Sequence, residues 1–262
     1  MKSVLDFKAR KGQGRISMST AYTHWEARLL AASPVDCVLV GDSVATVVDG
    51  EATTFAATPE IMARHTAAVA RGLAGAKFLI ADFPFLAARK GLVPAVECAT
   101  LLMRAGAHAV KIEGIDGHAD VIRHLVDSGV PVIGHLGLTP QSVNAFGGYK
   151  VQGKTEATAA TLLRQARAVE AAGASGLVLE CVPTEVAREI TAALTIPVIG
   201  IGAGPHTDGQ VLVFHDLLGL NPGFNARFVR AFADGGSVLS TGLTAFAESV
   251  TDGTFPSKKE SY

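Results

Sequence analysis

The sequence has little cysteine, little charge and no long hydrophobic run, and each shortage excludes a class of protein. Its three cysteines, Cys37, Cys98 and Cys181, lack the Cys-x-x-Cys spacing of zinc sites. Such a scattered, odd number is typical of reduced thiols in a cytosolic protein, so we expect no disulfide framework. The formal net charge of −1 gives no electrostatic basis for binding nucleic acid or an acidic membrane surface.

Hydrophobic residues are plentiful but spread along the chain. They make up 48% of the sequence, which is enough for a large core, yet no apolar run reaches the length of a membrane span. Residues 1–15 are basic without the apolar stretch of a secretory signal, so we expect no such signal. The length of 262 residues fits a single α/β barrel domain over 1–262, with a short N-terminal extension and a polar, frayed C-terminal tail.

Short, nearly continuous apolar runs alternate with helical patterns. Such runs are typical of strands covered on both faces in a parallel sheet. Helices are predicted between them, for example over 155–174 and over 58–75, where Thr58 and Pro59 suit a cap and first turn. The eight predicted strands are 16–22, 37–42, 77–82, 109–113, 131–135, 176–180, 197–202 and 210–216.

Eight strand–helix units make either a (β/α)8 barrel or a long doubly wound sheet. No glycine-rich dinucleotide turn follows the first strand, and "GIGAGP" over 200–205 lacks the GxGxxG spacing. The sequence therefore favours the barrel.

Four of the predicted strands end on an acid: Asp42, Asp82, Glu113 and Glu180. In a barrel these ends converge on one mouth, where active sites are built. Four acids there repel one another unless positive charge lies among them. Lys111 supplies one charge, and a divalent cation would supply more; carboxylate oxygens favour Mg²⁺ over zinc.

Each acid also has a simpler interpretation. Asp42 and Asp82 belong to a residue type that caps helices, and Glu113, followed by a glycine, fits a solvated loop. Glu180 lies within the apolar stretch "GLVLECVP", which better suits an acid that transfers protons. Four such positions in one chain favour a shared site.

Three further features remain open to two interpretations each. Lys111 is either a Schiff-base amine or a cation that holds a substrate carboxylate or enolate oxygen; acids such as Glu113 favour the charged form. His135, ending the fifth strand, is either a core hydrogen-bond donor or a substrate ligand. The glycine-rich segment 144–154 is either a mobile loop over the mouth or an ordinary connection.

A series of motifs extends along almost the whole chain, from Lys8 to Gly253: "STAY", "LVGDS", "ADFPF", "RAGAHAVKIEG", "GHLGLTPQSVNAFGGYKVQG", "LVLECVP", "IPVIGIGAG" and "TDGQVLVFHDLLG". Together they resemble the ketopantoate (3-methyl-2-oxobutanoate) hydroxymethyltransferase family. The resemblance implies a (β/α)8 TIM-type barrel of the phosphoenolpyruvate/pyruvate-type group. It also implies Mg²⁺, 5,10-methylenetetrahydrofolate as co-substrate, a cytoplasmic role in pantothenate and coenzyme A synthesis, and a homodecamer.

The resemblance also assigns roles to single residues. It implies Mg²⁺ ligands at Asp42, Asp82 and Glu113, the last directly or through water. Glu180 would be the proton acceptor. Contacts with the 2-oxo acid are implied for Asp42, Ser43, Asp82, Lys111 and His135.

The chain departs from the family pattern at three places. The family commonly has aspartate after "TAY", where Thr23 stands, and glycine two residues after "GDS", where Ala45 stands. The segment "DGEATTF", residues 49–55, is also unusual. These departures bear on the geometry of the pocket and loops and leave the acids intact.

Two other functions remain open from the sequence. One is a Mg²⁺-dependent lyase or mutase of the same wider group, acting on an oxo acid or phosphoenolpyruvate without folate. Such lyases often carry a catalytic cysteine motif, whereas the strands that carry the acids offer only Cys37 and Cys181. The other is a catalytically silent barrel that binds oxo acids or serves in assembly. The intact set of acids argues against it.

Overall fold

The computed structural model describes all residues 1–262, which divide into two compact units, Met1–Leu212 and Val213–Tyr262. The prediction of a single domain over the whole chain therefore stays a prediction. No helix in either unit is long and apolar enough to cross a bilayer.

The first unit is a closed barrel of eight parallel strands in which each strand pairs with the next and the eighth pairs with the first. This arrangement confirms the predicted (β/α)8 barrel. The strands are β1 Ile16–Thr20, β2 Cys37–Val40, β3 Phe78–Asp82, β4 Ala109–Glu113, β5 Val132–Gly137, β6 Gly176–Glu180, β7 Val198–Ile201 and β8 Gly209–Leu212.

The predicted bounds of the eighth strand need correction. The apolar run over 210–216 predicts one strand, but β8 ends at Leu212 and a short helix, Phe214–Leu217, follows. An apolar run of this length is equally compatible with a buried strand and with a buried helical turn, because apolar side chains are buried in both.

Helices follow most of the strands, as predicted. Thr58 caps α4 by accepting a hydrogen bond from the Ile61 amide, and Pro59 opens the helix. In the first unit the helices are α1 Val4–Ala9, α2 His24–Ala32, α3 Val44–Val47, α4 Pro59–Leu73, α5 Leu92–Arg104, α6 Ala119–Asp127, α7 Val143–Phe146, α8 Glu156–Ala171 and α9 Thr184–Ala193; the second unit has α10 Phe214–Leu217 and α11 Gly235–Thr251.

Apolar side chains fill part of the barrel interior, and α1 contributes to this cluster. Phe7 of α1 is fully buried, and its ring lies 5.6 Å from the ring of Phe78. Alternate residues of the strands pack with it, including Ile16, Met18, Leu39, Ile80, Ile133, Val178, Ile199 and Val211. The carboxyl ends of the strands carry the polar side chains instead, so the site lies over an apolar floor.

We predict that Phe7→Ala lowers the free energy of unfolding by about 3–5 kcal/mol, because it leaves a cavity in this cluster. Urea or thermal denaturation measures the change. Leu5→Ala on the same helix is the matched control, because the Leu5 side chain is 73% exposed. Equal effects of the two substitutions would contradict the role of Phe7.

Candidate active site

All seven predicted site residues lie at the carboxyl end of the barrel or directly after a strand there. Asp42, Asp82, Lys111, Glu113 and His135 are buried, whereas Ser43 and Glu180 are half-buried. The strand register places their positions side by side: Asp82 pairs with Lys111, Glu113 with His135, and Gly137 with Glu180. The structure therefore brings these residues together; the role of each stays a prediction.

Lys111 and Asp82 form the charged centre of the site. Their Nζ and Oδ1 atoms are 3.1 Å apart, and both side chains are buried. Burial favours the neutral amine, but the charges of Asp82, Glu113 and Asp42 outweigh it and raise the pKa of Lys111 above its ordinary value. Lys111 is therefore an ammonium ion, which supports the cationic interpretation over the Schiff-base one.

Asp42 and Asp82 are direct neighbours, and neither caps a helix. The Asp42 amide donates to Asp82 Oδ2 at 3.0 Å, and α3, which follows Asp42, has no side-chain cap. Burial raises the pKa of Asp42 to about 6, and the charge of Glu113 adds to the rise. Burial also raises the pKa of Asp82 to about 6, although Lys111 opposes it.

Glu113 is buried and is not a solvated loop acid. Its Oε2 accepts a hydrogen bond from the Gln141 amide at 3.1 Å, while its Oε1 is buried without a hydrogen-bond partner. Burial raises the pKa of Glu113 to about 7 against the opposing charge of Lys111. Three carboxyl groups thus share one ammonium, and the site carries excess negative charge.

His135 lies between Lys111 and two of the acids. Its Nδ1 is 3.0 Å from Lys111 Nζ and 3.3 Å from Glu113 Oε1, and its Nε2 is 3.2 Å from Glu180 Oε2. Burial and the Lys111 charge lower the pKa of His135, so the ring is neutral at neutral pH.

The tautomer of His135 follows from its neighbours. A lysine ammonium can only donate, so Nδ1 accepts and the proton lies on Nε2, facing Glu180. The Nε2–H bond does not point at the carboxylate with hydrogen-bond geometry. Glu113 Oε1 faces the acceptor Nδ1, which explains why this oxygen has no donor.

Two residues in the site were missed by the sequence interpretation. Gln141 bonds to Asp42 and Glu113, and the Tyr22 hydroxyl lies 2.8 Å from Ser43 Oγ. Both belong to motifs quoted for the resemblance, "GLTPQSV" and "STAY". These motifs could have pointed to both residues. The search for charged side chains at strand ends missed them, because neither residue is charged.

The backbone passes close to Glu180 at Gly137 and adopts an uncommon conformation at Cys181. A Cβ atom on Gly137, whose φ is +89°, would lie 2.1 Å from the Glu180 carbonyl oxygen, so this position requires glycine. The next residue, Cys181, has a φ of +46°, which is uncommon for a residue with a side chain. Its carbonyl accepts from the Gln152 amide at 2.9 Å. The glycine-rich segment 144–154 thus ends beside Glu180; its mobility stays a prediction.

Of the two single-residue departures from the family pattern, the structure explains the one at Thr23. Thr23 caps α2, because its hydroxyl accepts from the Glu26 amide and the Glu26 carboxylate accepts from the Thr23 amide. Threonine and aspartate are both cap residues, so Thr23 does what an aspartate there would do. Ala45 is fully buried in α3.

The donor set fits a divalent cation, although not as a cage of protein ligands. No group of three or more His, Cys, Asp or Glu side chains is arranged to hold a metal ion by itself. Asp42 and Asp82 are the adjacent pair, while Glu113 is directed at Gln141 and His135. Mg²⁺ binds in this manner, through one or two carboxylates that leave its other positions to water or a bound molecule. The unpartnered Glu113 oxygen and the excess negative charge support the fit.

Comparison with known proteins places the sequence in one family. Residues 2–258 match the family described as ketopantoate hydroxymethyltransferase. A Bdellovibrio bacteriovorus protein named 3-methyl-2-oxobutanoate hydroxymethyltransferase is 53% identical over 263 residues, which cover 100% of both chains. A Legionella pneumophila protein of the same name is 51% identical over 259 residues, 98% of each chain.

Solved structures confirm the type of barrel. The fold resembles 2,3-dimethylmalate lyase, described as a member of the PEP mutase/isocitrate lyase superfamily, with a TM-score of 0.63 and 18% identity over 100% of this chain and 92% of that one. It also resembles phosphonopyruvate hydrolase in complex with oxalate and Mg²⁺, with a TM-score of 0.62 and 15% identity over 99% and 93%. Likenesses at this identity show the fold alone.

We predict that Glu113→Gln makes the metal-free protein less sensitive to rising pH. The pKa of Glu113 is raised from 4.5 in the unfolded chain to about 7 in the fold. The contribution of the Glu113 carboxyl group to the free energy of unfolding is therefore complete below pH 4.5, its pKa in the unfolded chain, and is lost as the pH rises through about 7. With a chelator present, wild type should lose on the order of 2 kcal/mol more than the variant between about pH 5 and about pH 8.

Urea denaturation at the two pH values measures this difference. Glu189→Gln is the control, because Glu189 is an exposed acid on α9. If Glu113→Gln and wild type lose the same stability over this range, the carboxyl group of Glu113 is not the source of the pH dependence.

Proposed function

Because the chain belongs to the ketopantoate hydroxymethyltransferase family, we propose that it transfers a hydroxymethyl group to 3-methyl-2-oxobutanoate and forms ketopantoate. The observation that carries this proposal is the 53% identity to a protein of that name over 100% of both chains. The cluster of Asp42, Asp82, Lys111, Glu113 and Glu180 at one barrel mouth supplies the charges that the reaction needs.

The one-carbon donor that we propose is 5,10-methylenetetrahydrofolate, on the basis of the family resemblance. This molecule is too large for the barrel interior, so it would lie across the mouth, next to segment 144–154. Tyr149 of that segment is more than half exposed; its partial burial raises its pKa, and the charges of Asp42 and Glu180 add to the rise. The Gln152 amide of the same segment donates to the Cys181 carbonyl oxygen, next to Glu180. Closure of the segment would keep bulk water from the reacting carbon.

The metal that we propose is Mg²⁺, held by Asp42 and Asp82, with Glu113 acting through water. When bound, it supplies Lewis-acid chemistry that polarises the keto group and acidifies the proton on C3. The adjacency of the two aspartates and their hard oxygen donors support this assignment.

Glu180 is the proposed proton acceptor. It is the half-buried acid of the cluster, with a side-chain exposure of 15%, and can therefore reach both the barrel interior and a molecule at the mouth. His135 Nε2 lies 3.2 Å from Glu180 Oε2, so the neutral imidazole is a direct neighbour of the proposed base. Glu180 takes the C3 proton, and the electron pair of the C–H bond becomes the nucleophile that attacks the one-carbon unit.

The remaining residues hold the 2-oxo acid. The Lys111 ammonium lies where it can stabilise negative charge that develops on the keto oxygen, because its own charge is fixed by Asp82. The Ser43 hydroxyl, which lies beside Tyr22, can donate to the substrate carboxylate. Both C–N bonds of the one-carbon unit break during the transfer. One water molecule supplies the hydroxyl oxygen of the product. The C3 proton taken by Glu180 and one proton of this water end on the two folate nitrogens as N–H.

We also propose that the chain self-associates, as the homodecamer of the family resemblance, and works in the cytoplasm. The second unit supports assembly. Its helix α11 has no buried residue and presents one apolar stripe to solvent, formed by Leu239, Leu243, Phe246 and Val250. Soluble monomers rarely expose such a contiguous apolar patch. The three free, buried cysteines suit a reducing compartment.

We predict that Glu180→Gln lowers the rate of C3 proton exchange in 3-methyl-2-oxobutanoate by about 10²–10⁴-fold, because the amide cannot accept the proton. Exchange in D₂O with Mg²⁺ is followed by NMR, and ketopantoate formation from methylenetetrahydrofolate is measured in parallel. Binding of the oxo acid should remain. Glu189→Gln is the control. Exchange at the wild-type rate in Glu180→Gln would refute the assignment of the base.

The one-carbon transfer assay also separates the proposal from a folate-independent lyase of the same fold. Wild type should form ketopantoate only when the folate donor is present and should stop when a chelator is added. Consumption of the oxo acid without any folate donor would favour the lyase.

For the assembly, we predict that Leu243→Asp dissociates the oligomer, because a charge on the apolar stripe cannot be buried without a partner. Light scattering after size exclusion measures the mass against that of the 27.1 kDa chain. Thr241→Asp is the matched control, since Thr241 lies on the opposite side of the same exposed helix. A monomeric wild-type protein would contradict the proposed assembly.

A further inference from the structure

Gln141 connects the ends of four neighbouring strands. It lies in the 3-10 turn Pro140–Ser142, which follows β5. Its side-chain Nε2 lies 2.8 Å from Asp42 Oδ2 after β2 and 2.8 Å from the Phe83 carbonyl oxygen after β3. Its backbone amide donates to Glu113 Oε2 at the end of β4, at 3.1 Å. One residue thus contacts two of the acids of the site and the strand between them.

The orientation of the Gln141 amide is fixed by these partners. A carboxylate oxygen and a carbonyl oxygen can only accept, so the group that faces both must be the NH₂ and not the oxygen. Both N–H bonds are then used. Asp42 Oδ2 is held in place, and the other oxygen of this carboxylate is left to other partners.

The neutrality of Gln141 matters as much as its position. A lysine or arginine at this place would also hold Asp42, but it would cancel the negative charge that attracts a cation. An amide donates a hydrogen bond and adds no net charge. The site therefore keeps an excess of carboxylate over ammonium while its geometry is fixed.

We propose that Gln141 is a positioning residue, which sets Asp42 through its side chain and Glu113 through its backbone for a divalent cation and the 2-oxo acid. The inference rests on the proposed function for the identity of both ligands. Partners that orient metal-binding carboxylates commonly contribute 10–100-fold to metal affinity.

The test compares wild type with Gln141→Met in metal-free protein. Methionine has nearly the length of glutamine but no donor, and the substitution keeps the backbone N–H that bonds to Glu113. We expect Mn²⁺, measured by its EPR signal, to bind about 10–100-fold more weakly. The KM for 3-methyl-2-oxobutanoate should rise, while kcat recovers at saturating Mn²⁺ and oxo acid. Gln13→Met is the control, because Gln13 is exposed near the N-terminus.

A second variant, Gln141→Asn, tests the inference if Gln141→Met does not fold. Gln141→Asn keeps an amide but is one methylene too short to reach both acceptors, so it should weaken Mn²⁺ binding in the same way. Unchanged Mn²⁺ affinity and KM in the folded variants would overturn the positioning role. A wild-type protein that binds no Mn²⁺ would instead contradict the proposed metal site on which the inference rests.

Discussion

The structure depends on the burial of three carboxyl groups around one ammonium ion. Asp42, Asp82 and Glu113 are buried with Lys111, whose charge compensates for only one of them. Burying an uncompensated charge costs free energy, and this cost raises the pKa values of all three acids. A site of this kind is stabilised by whatever brings positive charge. The proposed use of a divalent cation and the predicted sensitivity of the metal-free protein to pH therefore have one cause.

The barrel makes this arrangement possible because the residues that stabilise the fold and the residues of the site occupy different parts of it. Apolar side chains such as Phe7 and Phe78 fill the interior cluster, while the carboxyl ends of the strands carry the charged groups. The parallel register sets Lys111 beside Asp82 and His135 beside Glu113 without any contribution from the loops. Loop residues then adjust the site: Gln141 fixes two of the acids, and Gly137 allows the backbone to pass close to Glu180.

Much of this could be predicted from the sequence, and the limits have physical reasons. Continuous apolar runs that end in acids predicted both the barrel and Asp42, Asp82, Glu113 and Glu180, because strand ends of a barrel must converge. The sequence could not show that a helical turn follows β8, since a continued strand and a helical turn would bury the same apolar residues. Nor could it identify Gln141, because the role of this neutral side chain depends on three-dimensional proximity to strands far away in the chain.

We propose that Asp42 and Asp82 share one divalent cation at the barrel mouth. The most direct measurement is anomalous diffraction from crystals of the protein grown with Mn²⁺ and 3-methyl-2-oxobutanoate. We expect a single strong peak within about 2–2.3 Å of a carboxylate oxygen of each aspartate, with the oxo acid on the same ion. A peak at another place, or an occupied oxo-acid site without a metal peak, would contradict it.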